Sequence, residues 1–142
     1  MDWSGRRLLV NFVTTADPRG RVPMRPERPD QGFQPPTDIY ETGDAVIVRA
    51  EIAGMTAEAI ELTLDEGAGR LTISGSRPDP AADTPRRYFN VEIECGEFIR
   101  VVQLPRPVVV DAVEASYDRG FLVVRLPIRT QDAGESRSVP IR

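Results

Sequence analysis

Ile60-Glu61-Leu62-Thr63-Leu64-Asp65-Glu66-Gly67-Ala68-Gly69-Arg70-Leu71-Thr72-Ile73-Ser74 is the stretch on which the fold turns. Apolar and polar residues alternate strictly from Ile60 to Asp65, so Ile60, Leu62 and Leu64 share one face of an extended strand. The alternation resumes at Arg70 and puts Leu71 and Ile73 together. Gly67-Ala68-Gly69 between the two runs supplies a turn, so the runs make a β-hairpin with one apolar face. The same glycines do not make a phosphate-binding loop.

Similar short runs continue on both sides. Asp44-Ala45-Val46-Ile47-Val48-Arg49-Ala50-Glu51-Ile52 is rich in β-branched residues and is bounded by Gly43 and Gly54. Thr56 to Ala59 are too few for more than one helical turn. Arg77 to Thr84 read as a Pro- and Asp-bearing loop, followed by a short strand at Arg87-Tyr88-Phe89-Asn90-Val91. Glu97 to Leu104 form another strand, stopped by Pro105 and Pro107. Val113 to Tyr117 alternate, Asp118-Arg119-Gly120 turns the chain, and Phe121 to Leu126 form the last strand before Pro127. Short strands, frequent turns and no long helix predict an all-β fold, an immunoglobulin-like β-sandwich over residues 37–127.

The flanks differ from this body. Residues 1–36 carry a small apolar cluster (Leu8, Leu9, Val10, Phe12, Val13) with Trp3 ahead of it. Pro18, Pro23, Pro26, Pro29, Pro35 and Pro36 follow. Proline removes backbone donors and fixes φ, so this segment reads as a flexible or polyproline-like arm. Residues 128–142 are polar until the tip, Val139-Pro140-Ile141, where two β-branched residues one apart share a side of the extended chain.

Composition excludes several chemistries. Every basic residue is arginine, histidine is absent, and Cys95 is the single cysteine. No phosphate-binding lysine, Schiff base, histidine general base or internal disulfide can be built, and the usual zinc ligand sets are missing. The expectation is a chain with no catalytic, cofactor-binding or metal site. Cys95 has no His or Lys beside it to activate it and reads as a spectator thiol. Glu92 and Glu94 share a strand face, as solvated charges rather than a hydrolytic pair. A net charge of −4 argues against nucleic acid as partner. No apolar run approaches the length of a membrane span, and Leu8-Leu9-Val10 is too short for a secretory signal, so the expected location is cytoplasmic.

Four pieces of the chain, in order, resemble the small heat-shock (alpha-crystallin) family, of the bacterial and plant kind. Pro36-Thr37-Asp38-Ile39-Tyr40-Glu41-Thr42 is similar to the family's first strand. Glu51-Ile52-Ala53-Gly54-Met55 is similar to its Leu-Pro-Gly-Val step, with Ala53 in place of Pro. Gly96-Glu97-Phe98-Ile99-Arg100 with Leu104-Pro105 resembles Gly-x-Phe-x-Arg…Leu-Pro. Ala115-Ser116-Tyr117-Asp118-Arg119-Gly120-Phe121-Leu122 resembles Ala-x-x-x-x-Gly-Val-Leu, with Phe121 in place of Val.

The resemblance implies an ATP-independent chaperone that holds unfolding client proteins, and a homodimer that assembles further. Val139, Pro140 and Ile141 resemble the family's tail motif, which would dock on a groove of a neighbouring subunit lined by Ile60, Leu62, Leu64, Val113 and Ala115. Tyr88, Phe89, Val91 and Glu92 match a loop-borne strand that crosses to the partner's Asp38, Ile39, Tyr40 and Glu41. Ile93 stands where many relatives carry Arg. Trp3, Leu8, Leu9, Val10, Phe12 and Val13 would form a client-binding arm. The alternative on the same fold is a monomeric or dimeric co-chaperone or adaptor module, which needs neither the tail motif nor the long loop.

Overall fold

The structure, a computed structural model, describes residues 33–130 together with the backbone of two short strands nearer the N-terminus. In chain order the strands are β1 (Arg6–Arg7), β2 (Val10–Val13), β3 (Thr37–Glu41), β4 (Ala45–Glu51), β5 (Ile60–Asp65), β6 (Arg70–Arg77), β7 (Gly96–Gln103), β8 (Glu114–Asp118) and β9 (Phe121–Pro127). Single 3-10 turns occupy Ala57–Ala59 and Val110–Ala112.

The hairpin read from the sequence is β5 and β6, antiparallel, with Leu62 opposite Ile73 and Leu64 opposite Leu71. These four side chains are buried, which is what the period-2 alternation requires of a strand pair with one wet face. The turn is closed by Asp65, whose carboxylate accepts the Ala68 N–H at 3.0 Å. One sheet runs β2-β5-β6-β7 and the other β1-β8-β9-β4-β3. All pairings are antiparallel except β2 on β5. The sheets enclose a core of Val46, Val48, Ala50 and Ile52, Leu122, Val124 and Leu126, and Leu71, Ile73, Phe98 and Val102. No polar or charged side chain is buried among the described residues.

Two glycines are fixed by geometry. The β8–β9 hairpin turns on Arg119 and Gly120, both at positive φ (51° and 85°), the two-residue turn whose twist matches the strands. Gly75 in β6 lies opposite Phe98, and a Cβ there would stand 2.7 Å from the Ala59 carbonyl and 2.9 Å from Phe98 Cζ. The sheet approaches the Ala57–Ala59 turn so closely that only hydrogen fits.

The sandwich with two sheets is the fold expected from the strand pattern. Three local features differ. Arg87 to Val91 do not form a strand: strand geometry needs a ladder partner, and no strand of this chain pairs with the segment among the described residues. Arg6–Arg7 and Val10–Val13, read as part of an irregular arm, are paired strands. Phe33 and Pro35, at the end of the Pro-rich stretch, are core residues. Phe33 bridges to Phe98 and packs its ring 5.2 Å from it, within the same buried cluster.

Candidate functional site

Strand edges and one loop, rather than a cavity, carry the reactive features of this sandwich. The first edge is β3. Among the described residues it pairs on one side only, with β4, Asp38 opposite Arg49 and Tyr40 opposite Ile47. Asp38, Ile39, Tyr40 and Glu41 are all exposed. Two surface ion pairs hold the strand's acids, Asp38 with Arg49 at 3.2 Å and Glu41 with Arg106 at 3.0 Å. Such exposed pairs contribute little stability. The other side of β3 offers unsatisfied backbone groups to a further strand.

The second feature is the connection from β6 to β7. Arg86 organises its first half: it donates to Asp79 at 2.5 Å, to the Tyr88 hydroxyl at 2.6 Å and to the carbonyl of Ala81, with its guanidinium 4.9 Å from the Tyr88 ring centroid. Asn90 donates to Glu92 at 2.6 Å. Arg77 closes the far end, donating from Nε to the Glu94 carbonyl at 2.8 Å and toward the Ala53 carbonyl at 3.3 Å while lying 4.2 Å over the Phe33 ring. Between these anchors the apolar side chains face solvent: Tyr88 is 54% exposed, Phe89 92%, Val91 64% and Ile93 78%. Cys95 is exposed as well. Within the chain no backbone pairing joins residues 88–92 to β3, among the described residues. The loop segment and its expected acceptor edge are therefore both open among the described residues.

The third feature is the side formed by β5 and β8. Ile60, Leu62, Leu64 and Ala115 are buried there, and Val113 is half-buried against the core. The outer edge of β5 is taken by β2, Val10 beside Leu62 and Phe12 beside Leu64, in parallel. The edge of β8 is taken by β1, Arg6 beside Tyr117 and Arg7 beside Ser116. Only Leu8 and Leu9 separate β1 from β2 in the sequence, so the two edges lie on the same side of the sandwich. Val10, Phe12 and Val13 thus stand in a strand, whereas Trp3, Leu8 and Leu9, and the tail Val139, Pro140 and Ile141, lie outside the described residues.

Two anchoring residues escaped the sequence reading. The Tyr117 hydroxyl donates to the Ile52 carbonyl at 2.5 Å and accepts the Met55 N–H at 3.3 Å, tying β8 to the β4–β5 connection. Arg77 holds three chain segments at once. Neither is signalled by alternation, because both act through partners far away in the sequence. No cluster of three or more His, Cys, Asp or Glu side chains that could hold a metal ion occurs among the described residues.

A two-sheet β-sandwich with open strand edges and an exposed, aromatic-bearing loop is the class these features define. Comparison with known proteins places it further. Residues 38–142 match the model of the Hsp20/alpha crystallin family. A 16.6 kDa heat shock protein of Oryza sativa subsp. japonica is 33% identical over 137 residues, covering 94% of this chain and 91% of that protein. Among solved structures, heat shock protein 16.0 of Schizosaccharomyces pombe superposes with a TM-score of 0.65 at 26% identity, over 82% of this chain and 81% of the other. A small heat-shock protein of Xylella fastidiosa, described as having a distinct high order structure, gives 0.61 at 27% identity, over 76% and 92%. The chain belongs to the Hsp20/alpha-crystallin family of small heat shock proteins, which agrees with the resemblance seen in its motifs and is consistent with a chaperone.

Proposed function

We propose that the protein is an ATP-independent holdase that captures unfolding client proteins in the cytoplasm and delays their aggregation, working as an assembly built from homodimers. One observation carries the reading. Among the described residues nine large apolar side chains are exposed, and six of them (Ile39, Tyr40, Tyr88, Phe89, Val91 and Ile93) lie on β3 or on the β6–β7 loop. Apolar surface concentrated in this way marks a site of association.

The dimer follows from complementarity. Residues 88–92 of one subunit form a strand only when given an edge, and Asp38 to Glu41 of the partner present one. By two-fold symmetry each subunit gives a strand and receives one, which closes the exchange and removes both open edges. The Val139-Pro140-Ile141 tail then links dimers by docking between β5 and β8 of a neighbour. Each tail buries two aliphatic side chains, at roughly 1.5–3 kcal/mol each before ordering costs. Single contacts are reversible and many act together. Client capture uses the same hydrophobic driving force, through the arm and the exposed apolar surface, and needs no catalytic group, metal or cofactor. Binding the unfolded chain lowers the concentration of the species that aggregates.

The test is a dilution series of the full chain by sedimentation velocity, run beside a client-aggregation assay. A dimer or multiple of dimers with suppression of client aggregation supports the reading. A folded monomer at micromolar concentration that leaves client aggregation unchanged points instead to an adaptor module.

A further inference from the structure

The side of the sandwich proposed to receive a neighbour's tail is already filled by the chain's own N-terminal segment. β2 lies along β5 from Val10 beside Leu62 to Val13 beside Asp65, and β1 lies along β8. With these strands in place Leu62 and Leu64 are 0% and 1% exposed and Ala115 is 7% exposed. A strand edge forms one ladder on its open side, and a second strand cannot add until the first leaves. The two candidate occupants also carry the same pattern: Val10-Asn11-Phe12 and Val139-Pro140-Ile141 each place two apolar residues at positions i and i+2.

We propose that the segment Arg6–Val13 and the Val139-Pro140-Ile141 tail of a neighbouring copy compete for the β5/β8 side, so that tail docking releases the N-terminal segment. This rests on the tail-docking reading above. The chain's own segment is tethered and competes at a high effective concentration, whereas a neighbour's tail competes at the concentration of the protein or of its assembly. At low concentration the segment closes its own side. As assembly advances, tails take the edges and set free the apolar run Leu8 to Val13. Assembly and release of this arm are thereby one equilibrium, and the arm is available to clients only in subunits whose β5/β8 side a tail has filled.

The experiment uses the full chain with its own tail silenced by Val139→Gly and Ile141→Gly, and a labelled peptide of residues 131–142 as probe. Affinity is read by fluorescence anisotropy and arm release by hydrogen exchange at the amides of residues 10–13. If the segment occupies the edge about nine-tenths of the time, its competition weakens the apparent peptide affinity about tenfold. Adding Val10→Gly and Phe12→Gly is expected to restore that factor. Saturating peptide is expected to accelerate exchange at residues 10–13 in the chain with its arm unaltered, a readout that stands even where the glycine variant folds poorly. Equal peptide affinity in both chains with unchanged exchange at residues 10–13 overturns the competition and leaves tail docking intact. Absence of peptide binding to either chain overturns both.

Discussion

Replacing Tyr88 and Phe89 by Ser separates dimer formation from folding, because the contacts described for these side chains within a single subunit stay inside their own exposed loop. Phe89 is 92% exposed and Tyr88 54%, and their contacts are to exposed arginines of their own loop. Full burial of a Phe-sized side chain stabilises by roughly 1.5–3 kcal/mol. Phe89 has nearly all of that still to gain on exchange and Tyr88 about half, so each crossing segment gains about 2–4.5 kcal/mol. Two segments cross in a symmetric dimer, and ordering the loop and partial burial take back about half of the sum. The double substitution is then expected to weaken the dimer by about 2–4.5 kcal/mol, or about 30- to 1,600-fold in Kd. Sedimentation velocity over a dilution series measures this directly. Circular dichroism and chemical denaturation of the variant serve as the control, and the subunit's fold is expected to be unchanged. A double variant that remains dimeric at the dilution where the parent half-dissociates refutes the exchange strand. A variant that loses its fold refutes the statement that these side chains act only within their own loop in the subunit.

Three further outcomes are expected. Gly75→Ala forces a methyl group to within 2.7 Å of the Ala59 carbonyl and 2.9 Å of Phe98; overpacking of this kind costs about 1–3 kcal/mol, read as a lower urea midpoint, whereas Ser76→Ala beside it is expected to be near neutral. Tyr117→Phe removes the hydroxyl that joins Ile52 and Met55, and loss of about 1–2 kcal/mol in urea denaturation is expected with assembly size retained. Val139→Gly with Ile141→Gly is expected to shrink the assembly while leaving the sandwich folded; unchanged size by light scattering contradicts the role given to the tail.

What could be read from the sequence was whatever depends on near neighbours. The Ile60–Asp65 and Arg70–Arg77 strands are joined by a four-residue turn, so alternation and turn residues sufficed to place Leu62, Leu64, Leu71 and Ile73 in the core. The β8–β9 hairpin was legible for the same reason, with Gly120 marking the turn. Strands that depend on distant partners were not. Val10–Val13 is a strand because β5, some fifty residues later in the chain, offers an edge, and nothing in Val-Asn-Phe-Val distinguishes that from a loose apolar run. Phe33 lies in a Pro-rich stretch that reads as irregular, yet it enters the core by packing its tilted ring against Phe98. The opposite case is Arg87 to Val91, whose β-rich composition was legible but which has no ladder partner among the described residues. Arg77 and Tyr117 follow the same rule: their partners Glu94 and Ile52 lie far along the sequence, and only the folded chain shows what they hold. The motifs were more informative about family than any single strand, since each is short and their order over residues 36–127 carries the assignment.

The most direct test of the chaperone account is light scattering from a heat-labile client enzyme, warmed with and without the full chain and without ATP. The account predicts suppression of scattering at near-stoichiometric ratios of protein to client, with the client recovered in soluble complexes. Undiminished scattering in the presence of protein shown to be folded and assembled contradicts it.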